Sequence, residues 1–250
     1  MAARRRTKTR SKRRYRTKKR TTSGARRRTG RRGSFTTSGR KQEVKRADTI
    51  NTRTDPDQAG TLILMNGLYP GTDDFNRIGR KVAWKALEFK SLILYAPPVA
   101  STSYGNEILT MYIVWDRSPN GISPAVNDII QSVDNFGTTF NSNYGFPDWN
   151  FKQRFLILKK KEWLMPGTVS AASTSAPPTS ISPQNQQQNF MFKKYIKLKG
   201  LTTEYSYTAA TVGSIGTGAL WCLIMGTDGI SAASSAWQFS TSWRLSFTDS

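Results

Sequence analysis

WQFSTSWRLSF, residues 237–247, sets the fold class. Its odd positions, Trp237, Phe239, Trp243, Leu245 and Phe247, are large and apolar, with Thr241 the one exception. Its even positions, Gln238, Ser240, Ser242, Arg244 and Ser246, are polar. Period-two alternation is the signature of a strand with one face buried and one wet. A face carrying four aromatic rings needs a second layer to bury them, so the strand implies a packed sheet.

Reading toward the N-terminus, the same habit recurs in residues 190–199. Phe190, Phe192, Ile196 and Leu198 share one face with Lys194, while Lys193, Tyr195, Lys197 and Lys199 point the other way. Leu201, Thr203, Tyr205 and Tyr207 continue the alternation after Gly200. Further strands are expected over 61–65, 81–95, 108–115, 151–164 and 219–225. The first, the third and the last of these are apolar throughout and are expected at sheet centres. Helical periodicity is confined to 124–133, where a short helix in a connection is expected. About eight aromatic-rich strands separated by Gly, Pro and Asn turns indicate a sandwich or jelly roll, not a doubly wound sheet.

The charge is distributed unlike the strands. Residues 1–42 hold 19 Lys and Arg and no acid; the remaining 208 residues hold 19 basic against 16 acidic residues, a net of +3. Nearly all of the formal charge of +22 therefore sits on an arm. With only Tyr15 and Phe35 as sizeable apolar groups, that arm cannot offset the entropy of ordering and is expected to be disordered when free. Its natural partner is nucleic acid, because each neutralised phosphate releases counterions, whatever the base sequence. The expected contacts are Arg4, Arg5, Arg6, Lys8, Arg10, Lys12, Arg13, Arg14, Arg16, Lys18, Lys19, Arg20, Arg26, Arg27, Arg28, Arg31 and Arg32, with Arg40, Lys41, Lys45 and Arg46 guiding the chain into the body. Lys193, Lys197 and Lys199 are expected to add a second basic patch, together with Lys159, Lys160 and Lys161, and Tyr195 offers a ring for base stacking. An ordinary solvated strand face is the competing reading of that patch. The runs at 18–20 and 26–28 would also serve as a nuclear import signal, giving a host import receptor as a second partner.

Composition excludes much else. There is no His and a single Cys in 250 residues, which removes His-activated nucleophiles, Cys/His zinc sites and internal disulfides. Cys222 lies in the apolar run ALWCLIM and reads as a buried, inert thiol. No phosphate loop occurs, and GSIGTG at 213–218 reads as a turn cluster. Asp73 with Asp74, or Asp128 with Asp134, read as solvated loop acids and not as metal ligands. No enzyme, cofactor or metal is expected. A membrane partner is not expected either, since no apolar run reaches 18 residues. The segment 166–189, PGTVSAASTSAPPTSISPQNQQQN, is uncharged and too rich in Pro for a central strand; it reads as an exposed low-complexity loop, with an interdomain linker as the competitor. The shorter APPVASTSYGN at 96–106 is similar.

Three stretches, taken in order, resemble geminivirus coat proteins. NRIGRKVAWKALEF (76–89) is similar to a basic, Gly-containing stretch that leads into a strand. MYIVWDRSPNG (111–121) resembles an apolar strand followed by an Asp-Arg-x-Pro-x-Gly turn, here Asp116, Arg117, Pro119 and Gly121. FKKYIKL (192–198) is similar to the family's basic-aromatic strand. The likeness covers about residues 60–250, and the arm agrees in character. Two departures stand out: the Cys and His residues typical of the family's amino-terminal half are absent, and the Ser/Pro loop is unlike it. The resemblance therefore implies a coat protein of a circular single-stranded DNA virus, geminivirus-like. It further implies an all-β, single eight-stranded jelly-roll sandwich over 47–250 behind a disordered basic arm (1–46). Icosahedral self-assembly as a large homo-oligomer, packaging of circular single-stranded DNA, and residence in the virion and host nucleus are part of the same implication. A nuclear shuttle or movement protein that binds single-stranded DNA without forming a shell is the alternative. A rolling-circle nuclease is disfavoured because it requires a His pair, and a ribosomal or chromatin protein would be unusual with so large an aromatic-rich body.

Overall fold

Burial of the Trp237, Phe239, Trp243 and Phe247 rings, all in the interior, organises the molecule. The computed structural model describes residues 43–95, 103–104, 107–131, 145–148, 150–165, 168–169, 189–206, 209–227 and 237–249. The arm with its expected contacts Arg4 to Arg32, nearly all of the 166–189 loop and most of 96–106 lie outside the described residues.

In chain order the strands are β1 (Lys45–Thr54), β2 (Thr61–Leu64), β3 (Lys81–Tyr95), β4 (Ser103–Tyr104), β5 (Glu107–Asp116), β6 (Phe155–Met165), β7 (Thr168–Val169), β8 (Phe190–Lys197), β9 (Thr202–Tyr205), β10 (Ile215–Thr217), β11 (Ala219–Gly226) and β12 (Trp237–Asp249). One helical turn, α1 (Val126–Ile129), lies between β5 and β6. The larger sheet has the order β1-β12-β3, and the far edge of β3 is shared by β8 and β9, with β10 beyond β9. The smaller sheet has the order β2-β11-β5-β6, and β4 pairs only with β7. Every pairing between these strands is antiparallel.

β8 and β9 are one run along β3 broken by a turn. The Leu198 N–H donates to the Lys85 carbonyl and the Trp84 N–H to the Leu201 carbonyl, both at 3.0 Å, while Gly200 takes φ +92° in between. The long strands of the two sheets alternate along the chain: β1 in the larger sheet, β2 in the smaller, β3 in the larger, β5 and β6 in the smaller, β8 in the larger, β11 in the smaller, β12 in the larger. Each crossing carries an inward face over to meet its counterpart, so the core is built from contacts distant in sequence.

The inward rows are Val82, Trp84, Leu87, Phe89 and Ile93 of β3 and Phe239, Trp243, Leu245 and Phe247 of β12, all in the interior with the apolar residues of β5 and β11. Trp84 meets Phe247 edge-on at 5.6 Å between centroids. Trp163 of β6 reaches across from the smaller sheet to Phe192 at 5.6 Å and Phe239 at 5.7 Å, closing one end of the sandwich. Each such pair adds about 1 kcal/mol to what burial alone supplies.

A polar knot ties the sheets together elsewhere. Asn66, fully buried, donates through Nδ2 to Thr203 Oγ1 (2.9 Å) and to the Gly218 carbonyl (3.0 Å), and its Oδ1 accepts from the Leu220 N–H (2.8 Å). Tyr205 OH donates to the Asn66 carbonyl at 2.5 Å, and Trp84 Nε1 donates to Thr203 Oγ1 at 2.8 Å. Gly218, at φ +72°, is required here: a Cβ would sit 2.5 Å from the Trp115 ring and also strike the Thr202 carbonyl. The Asp116-Arg117-x-Pro119-x-Gly121 turn is anchored by a second buried group. Asp116, at 0% exposure, takes a bidentate pair from Arg154 (3.0 and 2.8 Å) and the Ser118 N–H (3.0 Å). That pairing raises the Arg154 pKa against the opposing effect of burial.

Several expectations need correction. Twelve strands stand among the described residues where about eight were expected: β1 is additional, β4 and β7 are two-residue pieces, and 215–217 of the supposed turn cluster is strand β10 after a single 3-10 turn. The apolar run at 61–65 forms an edge strand, half-buried, and not a sheet centre. The helix is only four residues long. β1, KRADTINTRT, is a strand that lacks an apolar alternation and pairs with β12 over most of its length. Cys222 is buried as expected, and burial pushes its thiol pKa up.

Asn66→Ala leaves the Leu220 N–H unpaired in the interior and is expected to cost about 3 kcal/mol, measured by denaturant titration of tryptophan fluorescence. Asn66→Asp keeps the shape but buries a carboxylate against the Gly218 carbonyl. Its folded pKa is raised above the unfolded value, so its loss of stability is expected to be larger at pH 7 than at pH 4.

Candidate nucleic-acid interface

The alternation that turns Phe190, Phe192 and Ile196 of β8 toward the core turns Lys193, Tyr195 and Lys197 outward, and all three are exposed. Register then decides what they face. Across the outer side of the larger sheet, Ile50 of β1 lies opposite Ser242 of β12, Ser242 opposite Lys90 of β3, and Lys90 opposite Lys193. The next row is Asp48, Arg244, Glu88 and Tyr195, and the one after it Arg46, Ser246, Ala86 and Lys197.

The two acids of these rows do not balance the cations. Asp48 is engaged by Arg244 in a bidentate ion pair at 2.7 and 2.6 Å, which lowers the Asp48 pKa. Glu88 stands against Arg46, Lys90, Lys193 and Lys197, all exposed. Lys90 directly opposite Lys193 is a like-charge cross-strand pair, an arrangement that destabilises an isolated sheet. Lys199 is exposed in the turn after β8.

Lys159, Lys160 and Lys161 do not join this surface. They lie on β6, in the other sheet, with Lys159 opposite Ile113 and Lys161 opposite Met111. Lys160 pairs with Glu162 at 2.6 Å and lies over the Tyr112 ring at 5.4 Å. Burial works to lower the Lys160 pKa, and the neighbouring Glu162 carboxylate and Tyr112 hydroxyl outweigh that and raise it. Lys161 lies over the Trp163 ring at 5.7 Å. These lysines serve the edge of the sandwich.

At the root of the arm, Lys45 is 6% exposed, donating to the Asn76 carbonyl at 3.0 Å and pairing with Asp249 at 3.4 Å. It is a structural anchor, leaving Arg46 as the first outward cation of the body. Sequence reasoning missed Lys90 and Arg244 as members of the face. Their outward parity was readable in 81–95 and 237–247; their pairing with β8 and β1 was not. Of the acids weighed as metal ligands, Asp73 accepts from Asn76 Nδ2 at 2.9 Å and Asp128 accepts from the Ala125 N–H at 3.1 Å; Asp134 lies outside the described residues.

The described residues form a two-sheet β-sandwich, and the sequence that precedes it carries 19 Lys and Arg with no acid. The chain belongs to the geminivirus coat protein/nuclear export factor BR1 family, whose model matches residues 3–250. No curated protein matches it. Among solved structures it is similar to turnip yellow mosaic virus, at 9% identity and a TM-score of 0.29 over 84% of this chain and 83% of that one. It is also similar to Desmodium yellow mottle tymovirus, at 10% identity and a TM-score of 0.28 over 84% and 90%. A Triatoma virus empty capsid follows, at 10% identity and a TM-score of 0.16 over 84% and 68%. Superposition at this level is weak, and the family assignment rests on the sequence match.

Asp48→Asn releases Arg244 and removes one of the two acids from the outer rows. It is expected to tighten binding of a single-stranded oligonucleotide severalfold at low salt, with the gain vanishing at high salt, as read by fluorescence anisotropy.

Proposed function

We propose that this protein is a viral capsid protein that self-assembles into an icosahedral shell and packages circular single-stranded DNA through its basic arm. The observation that carries the reading is the segregation of charge: +19 on residues 1–42 against +3 on the rest, within a coat-protein family. A shell must enclose a polymer that repels itself, whatever its sequence. An unfolded cationic arm follows irregular phosphate paths without a defined site and leaves the rigid body free for subunit contacts. About 60 copies would supply on the order of a thousand arm charges, the scale of a small viral genome.

The body is read as a jelly roll whose eight principal strands form the facing sets β1-β12-β3-β8 and β2-β11-β5-β6, supported by that strand order and by the alternation between sheets. In this reading the arm expected over 1–46 ends where β1 begins at Lys45, the shell domain runs from there to 250, and 166–189 is a displayed loop. Lys193, Lys197 and Lys199 extend the binding surface onto the wall of the body. The runs at 18–20 and 26–28 bring the protein to the host nucleus through an import receptor. No helix among the described residues is long and apolar enough to cross a membrane. The family description also names a nuclear export factor, which favours a second reading: a shuttle protein that binds single-stranded DNA without forming a shell.

Electron microscopy of the purified protein separates the two, since only the first yields closed particles. Deletion of residues 1–42 is expected to give particles that no longer protect nucleic acid from nuclease; particles that fill as before would overturn the role of the arm. Reversing Lys193, Lys197 and Lys199 to Glu is expected to lower packaged DNA while shells still form, measured as the ratio of absorbance at 260 to 280 nm in purified particles.

A further inference from the structure

We propose that the outer face of the larger sheet carries a subsite for one unpaired nucleotide, formed where Lys90 stands opposite Lys193. The inference rests on the nucleic-acid-binding reading above and assigns a place and a selectivity to it. A shallow depression of about 390 Å³ crosses β1, β12, β3 and β8 at this row, lined by Ile50, Ser242, Lys90, Leu92, Met191 and Lys193. Two features call for a ligand. Met191, 65% exposed, lies opposite Leu92 in the row beside the lysines, so apolar surface sits uncovered next to them. Lys90 and Lys193 repel each other across the ladder, with no ion pair to either among the described residues, and Asp48 of the neighbouring row is taken by Arg244.

An anion set between two ammonium groups removes that repulsion, and a flat apolar ring covers Met191 and the neighbouring Leu92. A nucleotide supplies both, with its phosphate on the lysines, its base across Met191 and Leu92, and the Ser242 hydroxyl at the rim beside Lys90. Tyr195, 56% exposed in the adjoining row, offers a stacking surface for the next base. A duplex keeps its bases stacked inside and brings only phosphates to such a face. The subsite therefore favours single strands, a discrimination that the arm cannot make by counterion release.

The test uses the full-length protein, thymidine homopolymer with bromodeoxyuridine for photo-crosslinking, and a duplex of equal length. Cross-links to the peptide carrying Met191 and Tyr195 are expected beside those to the arm. Lys193→Glu places an acid opposite Lys90, so it is expected to raise the melting temperature while weakening single-strand binding about tenfold. Met191→Ser, at an exposed position, is expected to weaken single-strand binding about threefold and leave duplex binding unchanged. Cross-links confined to residues 4–32, equal losses for single strand and duplex, or equal competition by polyglutamate of matched charge would overturn the subsite while leaving the arm's role intact. Failure of the unaltered protein to bind any nucleic acid would instead overturn the reading on which the subsite rests.

Discussion

The fold depends on one saturated side chain. Asn66 follows the edge strand β2, and its amide reaches Thr203 of the larger sheet and both Gly218 and Leu220 of the loop and strand that enter the smaller one. Thr203 Oγ1 is equally committed: it donates to the Gly218 carbonyl at 2.6 Å and accepts from Asn66 and Trp84. Two apolar sheet faces can slide over one another at small cost, because hydrophobic burial is non-directional. Directional bonds in a low-dielectric interior remove that freedom, since any slip strands a buried donor. The knot therefore fixes register between sheets, and Trp163 against Phe192 and Phe239 supplies bulk at another point of contact.

A body locked in this way leaves the outer face of its larger sheet wet along β3 and β8, whereas β5 and β11 of the smaller sheet are almost wholly buried on both faces. The larger sheet places Phe, Trp and Leu inward on β3, β8 and β12, and the obligatory period of two then exposes whatever occupies the intervening positions. Arg46, Lys90, Lys193 and Lys197 reach one surface for that geometric reason. Without like charges opposed, the sheet would be more stable, so their presence at Lys90 and Lys193 is a local conflict of the kind that marks binding surfaces.

Much of this was legible in the chain. The alternation of 237–247 and 190–199 gave two strands and the sense of their faces, and the strand over 81–95 matches to the residue. What could not be read was whatever depends on partners. KRADTINTRT has no apolar alternation, and it is a strand because the exposed edge of β12 offers it a ladder of hydrogen bonds. The apolar run at 61–65 looks central on composition, yet it covers only one edge of β11. Asn66 is an unremarkable residue in NGLYPG until the Gly218 loop is brought against it. Lys90 and Lys193 lie far apart in sequence, and only the β3–β8 register makes them neighbours; the grouping of Lys159, Lys160 and Lys161 with β8 failed for the same reason, since adjacency in charge says nothing about which sheet a strand joins.

The contrast in charge between arm and body sets what each can do. In the proposed reading the nineteen cations of residues 1–42 dominate the salt-dependent affinity for nucleic acid, and the outward cations of the sheet add a small fraction to it. A flexible polycation follows single and double strands alike, so affinity from this source carries little information about the form of the polymer. In the same reading a rigid face with fixed spacing would contribute little energy but accept only a backbone whose bases can splay onto it. Under that reading strength and selectivity separate onto different parts of one chain, since the order that would let a polycation discriminate would remove the freedom it needs to follow every phosphate path.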